Sequence, residues 1–142
     1  MRNALAGLFG VMGLWFVLDG VRSLLGHGTS PTVRGLEALG VGPWTTVASG
    51  VGLDPGGWVV AIGLLLSGVI ALAATFTIIA GWGGLAYGLG VAAAATMLWY
   101  APLGTLAGLA AGLALATPSM RVAIRGRRSR LTRSATARPD DP

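Results

Sequence analysis

From Pro55 to Met120 the chain contains no Asp, Glu, Lys, Arg or His. The stretch is about three times the ~20 apolar residues that one membrane-spanning helix requires. A helix on the surface of a water-soluble domain carries polar or charged residues opposite its apolar stripe, and no such face can be built here. The sequence therefore specifies lipid as its solvent, and the expected fold class is an all-α integral membrane protein. Composition agrees, since 54% of the residues are hydrophobic and 11% charged, against about 25% charged in ordinary soluble domains.

Turn signals divide the chain. Helix one is expected over about 4–25. Helix two, 58–80, follows Asp54-Pro55-Gly56-Gly57, and helix three, 84–100, follows Gly81-Trp82-Gly83-Gly84. Helix four, 103–120, follows Ala101-Pro102. Trp58, Trp82, Trp99 and Tyr100 fall at segment ends, where interfacial aromatic belts belong. A single kinked helix from Trp82 to Thr117 would be ~54 Å long, well beyond a ~30 Å hydrocarbon core. The reading is therefore a compact four-transmembrane-helix bundle over residues 1–120. Arg2 and the apolar run after it have the start of a secretory signal, but no Ala-x-Ala-like cleavage site follows Leu18, so helix one is expected to be retained. Residues 26–57 form a polar first connection. In it Val33, Leu36 and Leu39, then Trp44, Val47 and Val51 beyond Pro43, recur at helical spacing. The spacing predicts two short amphipathic pieces lying on the membrane surface, with a lid over a site between helices as the alternative.

Seven of the ten arginines lie after residue 120, so the basic charge belongs to a tail and no nucleic-acid partner is expected. In the Arg-rich tail, 121–142, Arg121 and Arg125 stand four apart, so that its first turns can continue helix four along an anionic lipid surface, and beyond Gly126 the composition is that of a disordered segment. The excess of Arg assigns that segment to the cytoplasm, and an even number of spans brings the N-terminus to the same side of the cell membrane. Arg22 and Arg34 then fall outside, a minor disagreement with the same rule. Arg121, Arg125, Arg127, Arg128, Arg130 and Arg133 are the candidate contacts to anionic lipid or to an acidic partner.

Small residues recur every fourth position in three helices: Gly63, Ser67, Ala71 and Thr75; Gly84, Gly88, Ala92 and Thr96; Gly104, Gly108, Gly112 and Ala116. Such rows make grooves in which another backbone approaches closely, and in lipid van der Waals contact along them drives helix association. The expectation is that they join helices two, three and four within one chain, with the aromatic helix one (Phe9, Trp15, Phe16) turned to lipid or to a partner.

Chemistry is sparse. The chain has no Cys and one His, His27, so neither a metal site nor a cofactor is expected. Gly81-x-Gly83-Gly84 lacks the strand, Lys and Ser/Thr of a phosphate loop. The candidate polar membrane site is Asp19 with Arg22, three residues apart on one helix face. They form either an interfacial pair or, with Asp19 turned inward, a proton- or ligand-binding carboxylate. The leading expectation is a non-catalytic accessory or assembly subunit, or a self-associating bundle, whose partners are the bilayer and another membrane protein or a second copy. A small-solute or ion carrier or pore, holin-like pores included, would use Asp19 and the helix hydroxyls. An enzyme would have to use Asp19, Arg22, His27, Arg34, Glu37 and Asp54 on one side of the membrane. The layout of four spans, a long first connection and a first helix closing in Gly20-Val21-Arg22-Ser23-Leu24-Leu25-Gly26 resembles the DoxX-like small membrane proteins. That resemblance covers helix one and the start of helix two, and implies quinone- or lipid-linked chemistry. The chain departs from the pattern in lacking an acidic residue near helix two and a basic residue in the second turn.

Overall fold

The structure is a computed structural model that describes residues 2–25, 50–54, 57–98, 100 and 103–125. The described residues are helical: α1 (Arg2–Leu24), α2 (Trp58–Ala80), α3 (Gly83–Met97), α4 (Leu103–Ala116) and α5 (Pro118–Arg125). The surface pieces expected within 26–57 fall almost entirely outside the described residues, as does the tail beyond Arg125.

Helices α1 and α2, at 23 residues each, reach ~34 Å and are long and apolar enough to cross a membrane. A third span results if α4 and α5 are counted together, but these are bent by 83° at Thr117. Helix α3, with 15 residues, and α4, with 14, reach only ~22 and ~21 Å. Among the described residues there are thus two to three candidate spans. Their outward faces are as apolar as their inward ones: Leu14, Leu18, Leu66, Phe76, Leu106 and Leu113 are all more than half exposed. Exposed apolar surface on this scale fits a lipid environment.

Two helix ends explain the chain's reversals. Gly81 adopts φ 77°, ψ 29° after α2, a left-handed conformation that only Gly takes at little cost. Its N–H donates to the Ile78 carbonyl and the Trp82 N–H to the Thr77 carbonyl, closing the helix with two reversed bonds. At the other break, Thr117 caps α5, its Oγ1 accepting the Met120 N–H at 3.4 Å, with Pro118 in the first helical position. Pro there has no N–H to lose, but it cannot extend α4. The helix expected to run to Met120 therefore ends at Ala116. The same residues that stop α4 start α5.

Close approach of backbones holds the bundle together. Helices α1 and α2 run antiparallel and share the most extensive contact in the molecule. A Cβ on Gly20 would lie 2.9 Å from the Ala61 carbonyl oxygen, and one on Gly13 would lie 3.0 Å from that of Gly68. Farther along, the Thr75 hydroxyl donates to the Ala6 carbonyl at 3.2 Å. The contacts step by seven residues on both helices, the period of a closely packed antiparallel pair. Phe9 and Phe16 are fully buried, which corrects the expectation that helix one turns its aromatic face outward. That face packs inward, and only Trp15 of the three aromatics is exposed. Helices α3 and α4 meet as a second antiparallel pair, where a Cβ on Gly104 or Gly108 would lie 2.6 Å from the Met97 or Ala94 carbonyl oxygen.

Candidate functional site

Polar chemistry inside the bundle concentrates on one contact. Asp19 lies in the last turns of α1, and Tyr100 in the turn between α3 and α4, where its N–H donates to the Met97 carbonyl. The Tyr100 hydroxyl donates to Asp19 Oδ2 at 2.8 Å, an ordinary hydroxyl hydrogen-bond length. Tyr100 is buried, and the Phe16 ring meets its ring at 5.0 Å and 61°, the edge-to-face geometry aromatic pairs favour. Asp19 is partly buried, whereas Arg22 points outward and is exposed. Of the two arrangements expected for Asp19, beside Arg22 or turned inward, the contact seen is with a phenol 81 residues away. Sequence reasoning placed Tyr100 in an interfacial belt and missed this role. An aromatic residue carrying a hydroxyl, at the depth of a lone carboxylate, was the available signal.

Most of the hydroxyls expected to line a path bond to their own helices, whereas Thr75 also reaches the Ala6 carbonyl of α1 and Thr105 the Leu98 carbonyl at the end of α3. Ser67 Oγ donates to the Gly63 carbonyl, Thr77 Oγ1 to that of Ala73, Thr96 Oγ1 to that of Ala93 and Thr117 Oγ1 to that of Ala114. Such back-bonds satisfy a hydroxyl in an apolar medium. Among the described residues no group of three or more His, Cys, Asp or Glu comes together. Asp54 is exposed, and His27, Arg34 and Glu37 lie outside the described residues.

The small-residue rows divide sharply. Ser67, Ala71, Gly104 and Gly108 are buried, and Gly63 and Ala92 are half-buried. Gly84, Gly88 and Gly112 have open space where a side chain would stand, so they make no packing contact within the chain at that position. The α3 face that packs carries Ala86, Gly90, Ala93 and Met97 instead. Two outward grooves accompany these faces. One, of about 540 Å³, lies at the start of α1 against Thr75 and Ile79. The other, of about 380 Å³, runs between α3 and α4 and ends at Arg121. Of the tail arginines, Arg121 is exposed on α5, its Nε donating to the Leu115 carbonyl at 3.4 Å, and Arg125 closes that helix. Arg127, Arg128, Arg130 and Arg133 lie outside the described residues. Compared with protein-family models, curated proteins and solved structures, the chain matches none of them.

Proposed function

We propose that this chain is a multi-pass protein of the cell membrane that acts by association with other membrane helices, as an accessory or assembly subunit or as a self-associating bundle, without chemistry of its own. In this reading α1 to α4 all cross, the shorter α3 and α4 at the cost of local bilayer thinning, and both termini are cytoplasmic. The observation that carries it is the contrast on α3 and α4: Gly104 and Gly108 are filled by the chain's own backbone, while Gly84 and Gly88 stand open beside an apolar surface. A second helix can approach there as closely as α4 approaches at Gly108. Light scattering in a mild detergent tests this. The native particle is expected above the 14.3 kDa of one chain, or with a co-purifying protein, and Gly88→Leu is expected to return it to a monomer. A strictly monomeric native particle with no companion sinks the proposal.

The Asp19–Tyr100 pair favours a second reading, a small carrier or pore in which Asp19 exchanges its phenol partner for a proton or cation. Flux in liposomes is then expected to fall on Asp19→Asn. Flux indifferent to that change removes the reading.

A further inference from the structure

Helices α3 and α4 run in opposite directions, so Tyr87, early in α3, lies at the same end of the pair as Arg121, just beyond α4. Both line the outward groove of about 380 Å³, whose other walls, Val91, Leu98, Gly108 and Gly112 among them, are apolar. From Tyr87 to Leu98 the groove follows α3 for ~16 Å at 1.5 Å per residue. That is close to half of a ~30 Å hydrocarbon core, the depth one acyl chain occupies in one leaflet. Gly112 keeps the groove open, since nothing stands within 4 Å of the place its Cβ would take. At the mouth, the Arg121 Nε bond to the Leu115 carbonyl anchors the guanidinium and leaves its two terminal nitrogens to donate together to a phosphate.

We propose that this groove is a binding site for one anionic phospholipid, with an acyl chain between α3 and α4 and the phosphate on Arg121. A long apolar slot closed by one cation matches an amphiphile with a negative head better than it matches a free anion or a wholly apolar ligand. The inference rests on the membrane reading and is independent of whether the chain associates with a partner.

Native mass spectrometry of the full chain in a neutral detergent tests it, with phosphatidylglycerol and phosphatidylcholine of identical acyl chains offered together. The native chain is expected to retain one phosphatidylglycerol, preferred about fivefold. Arg121→Gln is expected to abolish the preference, and Gly112→Leu, which fills the slot, to reduce retention of both lipids. Helicity and melting of each variant are read alongside by circular dichroism, and Ala95→Leu on the opposite wall replaces Gly112→Leu if the latter does not fold. Equal retention of the two lipids by the native chain overturns the site. So does a preference that survives Arg121→Gln, which would assign it to the tail, or undiminished lipid binding when the slot is filled. Displacement by inorganic phosphate alone would show an anion site and would equally overturn it. Release of the chain from native membranes by an alkaline wash would defeat the membrane reading itself, separately from these outcomes.

Discussion

Tyr100 carries two jobs at once: its ring packs on Phe16 and its hydroxyl holds the Asp19 carboxylate. Tyr100→Phe preserves the packing and leaves a partly buried carboxylate without that donor, so a loss of about 1 kcal/mol is expected. Denaturant titration of Tyr100→Phe, Asp19→Asn and the double variant checks this, because only a coupled pair gives non-additive losses. Glycine provides the sharper contrast at this scale. Gly108→Ala drives a Cβ to 2.6 Å from the Ala94 carbonyl oxygen, and overpacking of this kind costs about 1–3 kcal/mol. Gly84→Ala meets nothing within 4 Å and gains helix propensity worth a few tenths to about 1 kcal/mol. Two rows of small residues that look alike in the sequence thus predict opposite signs, and a pair of melting curves in the same detergent decides it. Equal melting of the two variants would mean that α4 does not seat on α3 through Gly108.

At the scale of elements, the ends of the helices were more legible than their faces. The glycine run after Ala80 and the tryptophans at both ends of α2 marked that helix correctly, because caps and interfacial aromatics are local chemistry. The break at Thr117-Pro118 was equally local and was passed over, since the charge-free run continues through it to Met120. Hydrophobicity cannot mark a boundary when both sides of it are apolar, whereas a hydroxyl cap followed by Pro can. Thr117→Val, which keeps the shape and removes the oxygen that accepts the Met120 N–H, is expected to cost about 1 kcal/mol and to fray α5. The readout is faster hydrogen exchange confined to residues 118–125. Faces were harder to read for a different reason. With almost every position apolar or small, the inward side is chosen by which backbones fit together, and that depends on the partner helix. A spacing of four singled out Gly84 and Gly88, yet the chain's tightest contacts between long helices step by seven, through Gly13 and Gly20 against Gly68 and Ala61. That period spans two helices and was invisible in either one alone.

For the whole molecule, the decisive question is how a pair of ~34 Å helices and a pair of ~21 Å helices share one bilayer. The first pair matches a ~30 Å core; the second falls short by about a third. Tyr100 fixes the offset, because its bond to Asp19 ties the α3–α4 turn beside the last turns of α1. At the opposite end α4 stops and α5 swings by 83°, with Met120 and Ile124 buried against the bundle. If all four helices cross, α5 then lies along the membrane surface on the side of the start of α1, and the membrane thins beside it. The absence of cysteine from the sequence makes this directly measurable with single cysteines and a membrane-impermeant thiol reagent applied to oriented vesicles. Asn3→Cys and Ser119→Cys are expected to react from the same side, and Asp54→Cys only from the other. If instead α3 and α4 form a hairpin that enters and leaves by one face, a cysteine at Leu103 sits at its embedded tip and reacts from neither side. In the four-crossing arrangement it reacts from the side of Asp54. Thickness provides the independent check: lengthening the lipid acyl chains is expected to lower the melting temperature, since the shorter pair sets the mismatch. A melting temperature that rises with thickness would mean that α1 and α2 alone set the depth of the protein.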